Sequence, residues 1–175
     1  MIRLEALALA AALATGAAPP ELTQRHTHPS GVFSFMTPAG WTQGPVAGRN
    51  DLYEAAGDGQ IVRFVYAAGD VGYDSLHVTC MLERLAPEQE ASPHLRYEYD
   101  FLSGVVGDYR ILDSAFEVTY DAPVAGQREW RQRNVTLVGK GHSLCVILHA
   151  PLKSWRKSKA ARALQEAVLR SVTLP

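Results

Sequence analysis

The sequence predicts an α+β fold, an antiparallel β-sheet of about six to seven strands with helices packed against it. Three observations predict it. From Val32 onward most of the chain alternates apolar and polar side chains with period two, the repeat of half-buried strands. Only two stretches, one from Ser92 to Gly107 and one from about Ser154 to Arg170, change to helical spacing. The strand–helix–strand alternation of a doubly wound parallel sheet does not repeat, so an antiparallel sheet fits better.

At 175 residues the chain is long enough for one domain with a self-sufficient core. Its 17 basic and 18 acidic side chains leave a net charge of −1. The molecule as a whole therefore has no electrostatic pull toward nucleic acid or acidic membranes, and no nucleic-acid partner is expected. A local patch stays open. Beyond the N-terminal segment, no stretch approaches the ~20 apolar residues that cross a bilayer as a helix.

The N-terminus reads as a leader. After Arg3 comes an alanine-rich apolar run, Ala6–Ala14, then Thr15-Gly16-Ala17-Ala18 and Pro19-Pro20. That is the pattern of a secretory signal peptide over residues 1–17, cleaved after Ala17. Glu5 weakens the basic start of such a leader, and a disordered alanine-rich tail is the alternative. Residues 18–29, with three prolines and His26-Thr27-His28, are expected to be a flexible lead-in to a domain over residues 30–175. An exported protein, periplasmic or extracellular, follows from the leader.

In chain order, Val32–Met36 is the first expected strand, closed by the turn Pro38-Ala39-Gly40-Trp41. Leu52–Ala55 and Gln60–Ala67 flank Gly57-Asp58-Gly59 and read as a hairpin. Ser75–Glu83 alternates and reads as the next strand. Ser92 as N-cap, Pro93 at the first helical position and Gly107 as stop bracket a helix whose stripe is Leu95, Tyr99, Leu102 and Val106. Tyr109–Tyr120 returns to period two. Arg128–Val138 and His142–His149 form a second hairpin about Gly139-Lys140-Gly141. Pro151 ends it, and Ser154 or a neighbour caps the last helix. Its inner stripe is Trp155, Ala160, Leu164, Ala167, Val168 and Ser171.

Three short runs carry a resemblance: Gly31-Val32-Phe33-Ser34-Phe35, then Pro38-Ala39-Gly40-Trp41, and finally Val168-Leu169-Arg170-Ser171-Val172. With the antiparallel meander between them, the chain from Pro29 to Pro175 resembles the PsbP-like superfamily, which includes bacterial secreted members of unknown role. The resemblance implies a PsbP-like α/β/α sandwich. The matching runs are structural, so it implies no active-site or partner-binding residue.

Candidates for chemistry each have an ordinary structural reading. Cys80 and Cys145 both lie in expected strands, and in an exported protein such a pair invites a disulfide. Bonding needs Cα atoms about 4.4–6.8 Å apart, hence neighbouring strands; buried free thiols are the alternative. His26 and His28 form an H-x-H that could hold a metal weakly, but no third ligand is near in sequence, and no metal or cofactor is expected. His77, His142 and His149 read as strand or turn residues. Ser103-Gly104 lacks the G-x-S-x-G of a nucleophile elbow, and Gly139-Lys140-Gly141 lacks the P-loop spacing. Asn134-Val135-Thr136 is a glycosylation sequon.

The surface feature that stands out is charge. Lys153, Arg156, Lys157, Lys159 and Arg162 place five cations and no acid in the first half of the expected last helix. Cations there oppose the helix dipole. Arg128, Arg131 and Arg133 on the preceding hairpin would extend the patch if they faced the same way. The sequence thus favours a noncatalytic exported accessory or protein-interaction module, meeting an envelope protein or an anionic surface through that patch. The alternative is a binder of a small apolar ligand or lipid between sheet and helices, lined by Tyr66, Tyr97, Tyr99 and Trp130. An enzyme would need His77 or His149 beside a carboxylate.

Overall fold

Two hairpins with two-residue turns set the register of the main sheet. Both turns put two successive residues in the left-handed region, Asp58 (φ 53°) with Gly59 (φ 70°) and Lys140 (φ 53°) with Gly141 (φ 72°). Their twist matches that of the strands they join. The computed structural model describes residues 2–3, 20–46, 49–70, 93–96, 102–122 and 126–175. The leader core Ala6–Ala14, the strand expected at Ser75–Glu83 with His77 and Cys80, and Tyr97 and Tyr99 lie outside them.

The described strands are β1 (Ile2–Arg3), β2 (Gln24–Thr27), β3 (Ser34–Thr37), β4 (Thr42–Val46), β5 (Arg49–Gly57) and β6 (Gln60–Ala68). They continue as β7 (Pro93–Arg96), β8 (Leu102–Val106), β9 (Tyr109–Ala122), β10 (Gly126–Gly139) and β11 (His142–Pro151). Two helices, α1 (Leu152–Lys157) and α2 (Lys159–Ser171), lead to the closing β12 (Thr173–Leu174). The main sheet runs β4-β5-β6-β11-β10-β9-β7, with β8 also paired to β9. Its pairings are antiparallel throughout. A smaller antiparallel sheet runs β1-β12-β3-β2. The fold is thus α+β and antiparallel, as the sequence predicts.

The core lies between one face of the main sheet and a layer made of the small sheet and α2. Phe33 and Phe35 meet Phe64 at ring separations of 5.1 and 4.3 Å. Val62, Val135, Leu144, Val146 and Leu148 of the main sheet and Leu164, Val168 and Leu169 of α2 complete this cluster. Ser171 ties α2 to β3 by accepting from the Met36 amide at 2.8 Å. The Ser34 and Thr173 hydroxyls, 2.7 Å apart, link β3 to β12. The main sheet's other face is buried too, through Val65, Cys145 and Ile147.

Three expectations are corrected. The helix expected from Ser92 to Gly107 is not present at Pro93–Arg96 or Leu102–Val106, which form β7 and β8 along β9. Val105 and Val106 favour extended backbone, Gly104 weakens a helix, and Gly107-Asp108 turns β8 directly into β9, so pairing overrides the helical stripe. The lead-in expected to be flexible contains β2, whose His26 is only 5% exposed and lies against Phe35. The last helix is broken in two at Ser158, which is extended and accepts from the Ala161 amide. Ser158, not Ser154, is therefore the cap of the long helix, and Ala160 points to solvent.

Candidate functional site

The break at Ser158 reorganises the basic run. Arg156 and Lys157 fall in the last turn of α1, where the helix dipole favours cations, instead of in the first half of one long helix. Arg162 reaches back from α2 and donates to the carbonyls of Trp155 at 2.5 Å and Arg156 at 3.2 Å, satisfying the orphan C-terminal acceptors of α1. Arg156 donates to both carboxylate oxygens of Glu117, at 2.7 and 2.8 Å. Two of the five cations are thus tied within the fold. Lys153, Lys157 and Lys159 are exposed, and none has an ion-pair partner among the described residues. The patch narrows to three lysines at the α1–α2 corner.

Beneath that corner lies a buried ionic network. Arg133 makes a bidentate pair with Asp113, at 2.9 and 2.6 Å, and a further short contact to Glu166 on α2. Burial alone would lower the guanidinium pKa, but the two carboxylates raise it, so the arginine is charged at every accessible pH. The Arg131 guanidinium sits 4.6 Å over the ring of Trp155, which is half-buried. Arg131 and Arg133 therefore hold the helices down on the sheet and do not extend the surface patch. The counter-charges Asp113 and Glu117 are both 8% exposed, under the helices. A signal for them exists in the hairpin: with β9 and β10 in register, Glu117 falls opposite Arg131 and the pair Asp113/Arg133 lies diagonally adjacent.

The histidines serve packing. His26 Nε2 is 2.7 Å from the Thr37 hydroxyl, and His28 Nδ1 is 2.5 Å from that of Ser30 while its ring stacks on Phe33. Burial lowers the pKa of both. His142 Nδ1 meets the Tyr66 hydroxyl at 3.1 Å. His149 is fully buried, and neither ring nitrogen has a hydrogen-bond partner among the described residues. Desolvation, with the Arg63 charge second, pushes its pKa down to about 3. Among the described residues no carboxylate hydrogen-bonds it. Among the described residues no group of three or more His, Cys, Asp or Glu is placed to hold a metal.

Cys145 is a buried free thiol that accepts from the Thr136 hydroxyl at 3.5 Å; Cys80 lies outside the described residues. Asn134, in the sequon, is completely buried and so closed to modification in the folded chain. Tyr66 and Trp130 do not share a pocket. In register, Tyr66 opposite Leu144 lies on the core face, while Trp130, opposite Pro151, alternates onto the other. The space between sheet and α2 is filled by the phenylalanine stack and its aliphatic neighbours. No described helix is long and apolar enough to cross a membrane.

No family model matches the chain, and no curated protein matches it in sequence. Solved structures match its fold. A crystal structure from Bacteroides thetaiotaomicron superposes with a TM-score of 0.54 and 12% identity, over 89% of this chain and 49% of that one, so this chain spans about half its length. The solution structure of cyanobacterial PsbP (CyanoP) from Synechocystis superposes with a TM-score of 0.53 and 13% identity, over 91% of this chain and 96% of that one. At such identities the likeness establishes architecture alone.

Proposed function

We propose that this chain, whose fold is PsbP-like, is a noncatalytic exported accessory module that works by binding an acidic envelope protein or anionic surface. The observation that carries the reading is the α1–α2 corner. Lys153, Lys157 and Lys159 project there as cations with no ion-pair partner among the described residues, while Arg63, Arg133, Lys140 and Arg156 are all matched to carboxylates within the fold. Lysine is a flexible, strongly hydrated point charge, suited to contacts that need no fixed geometry. The described histidines and the paired acids are taken up by packing and ion pairs, which supports binding over catalysis. The filled sheet–helix interface disfavours the apolar-ligand alternative.

The test compares wild type with the triple variant Lys153→Glu, Lys157→Glu, Lys159→Glu. Arg156 is left intact because it pairs with Glu117. Binding is measured to vesicles with and without anionic lipid and to solubilised envelope proteins. At about 0.1 M salt the wild type should be retained by one of these, and at about 1 M the contact should weaken as the Debye length shrinks from ~10 to ~3 Å. The variant should keep its circular dichroism and lose retention. Equal retention with equal salt response in both proteins would leave the lysines as a solvated face.

A further inference from the structure

The two edges of the main sheet differ in chemistry. At one edge β4 carries Pro45, which has no N–H to offer, and its register shifts between Pro45 and Val46. Proline and bulges are the devices by which natural edge strands refuse a further strand. The other edge is β7 and β8, laid end to end along β9. β7 begins with Pro93 and ends with Arg96. β8 has neither device: Leu102-Ser103-Gly104-Val105-Val106 holds no proline and no charge, and it pairs with β9 in unbroken register. Among the described residues no strand pairs with its outer side. Ser103, Gly104 and Val105 are exposed, and Val105, at 70%, is the exposed large hydrophobic residue of the described chain.

We propose that β8 pairs antiparallel with β8 of a second copy, about a twofold axis at Gly104, so that one sheet runs through a symmetric dimer. Such an axis sets Ser103 of each chain opposite Val105 of the other and Gly104 opposite Gly104. No like charges meet, because the strand has none. The outward N–H and C=O groups of β8, which have no strand partner among the described residues, gain partners and Val105 gains cover. The blunted β4 edge decides the symmetry. Pairing β8 with β4 would be head-to-tail and would propagate into a filament, and Pro45 with its register shift blocks it. Pairing β8 with itself closes at two. One five-residue ladder buries less than the ~1,200–2,000 Å² of a stable complex. The dimer is therefore weak and concentration-dependent. It uses a surface separate from the lysine corner, so the two readings stand or fall independently.

Sedimentation velocity of the full chain, from about 0.02 to about 1 mM, should show the mean mass rising toward twice the monomer and no further. Val105→Lys should hold it at the monomer with the fold intact, since the side chain is exposed. A second variant traps the geometry. Gly104 has open space where a Cβ would go, so Gly104→Cys fits. Residues opposed across an antiparallel pair lie about 4.5–5.5 Å apart at Cα, within disulfide range. In a Cys80→Ser background, mild oxidation of Gly104→Cys should give a covalent dimer, and adding Val105→Lys should prevent it. A monomer throughout the range, a dimer indifferent to Val105→Lys, or growth beyond two copies would each overturn the proposal.

Discussion

The indole of Trp41 lies directly on the backbone of Gly57: a Cβ built there would fall 2.2 Å from Cδ1 of the ring. The same indole donates from Nε1 to Asp58 Oδ2 at 3.0 Å, clamping the turn after Ser34–Thr37 onto the β5–β6 hairpin. Gly57→Ala should therefore overpack a rigid ring and cost ~1–3 kcal/mol. Gly44, where a Cβ meets nothing within 4 Å, is the control, and Gly44→Ala should stay within about 0.5 kcal/mol of wild type. Reversible urea unfolding measures both. Equal midpoints would mean the indole does not rest on that backbone.

Arg133 should be the costliest charge to remove. Its loss leaves Asp113 and Glu166 facing each other, at side-chain exposures of 11 and 12%. Breaking a buried pair from one side typically costs ~3–5 kcal/mol, because the orphaned charge stays desolvated. Arg133→Met should fall in that range by urea unfolding. Replacing Asp113 and Glu166 as well, by Asn and Gln, should restore much of the loss. Arg156→Met, removing a side chain that is 57% exposed, should cost under about 1 kcal/mol. Comparable losses for the two arginines would show that the network is not buried as a unit.

These residues also show which parts of the molecule the sequence made readable. Period two and the paired glycines at Gly59 and Gly141 located β5, β6, β10 and β11, because a two-residue hairpin depends on local backbone preference. The expected strand Val32–Met36 and the turn ending at Trp41 were legible from local pattern too, and the structure buries Phe35 and Trp41 there. β7 and β8 were not legible: their spacing also satisfies a helical stripe, and the choice is made by β9, a partner distant in pattern though near in sequence. The narrowing of the basic patch was hidden likewise. Whether Arg156 and Arg162 face water depends on Glu117 and on a helix break at Ser158, both set by tertiary contacts.

Acid should destabilise the fold through His149. Its folded pKa lies at about 3, below the ordinary 6.5, because burial and the Arg63 charge disfavour the imidazolium. Between these values the unfolded chain binds the extra proton, so stability rises with pH. Above pH 6.5 both states are neutral and the term vanishes; below it, stability is lost at up to about 1.4 kcal/mol per pH unit until about pH 3. His149→Leu removes the titration and two unsatisfied buried nitrogens, and should be close to neutral at pH 8 and more stable than wild type at pH 4. Measured unfolding free energies that keep a constant difference between the two proteins from pH 8 to 4 would place the proton elsewhere.

Export requires that the chain fold without its first 17 residues. Those residues contribute one described contact to the sheets, the pairing of Ile2 with Leu174 and Arg3 with Thr173 at the outer edge of β12. β12 keeps its place without it. Thr173 pairs with Ser34 and is hydrogen-bonded to it through both hydroxyls, and Leu174 is 3% exposed within the main core. Losing a two-residue edge pairing should cost no more than about 1 kcal/mol, which for a chain of this size lowers the melting temperature by about 2–4 °C. A protein beginning at Ala18 should therefore melt within that margin of the full chain, and intact-mass measurement of native material should show this same start. Failure of the shortened chain to fold, or recovery of the full-length chain alone, would make the alanine-rich segment part of the domain and remove the case for export.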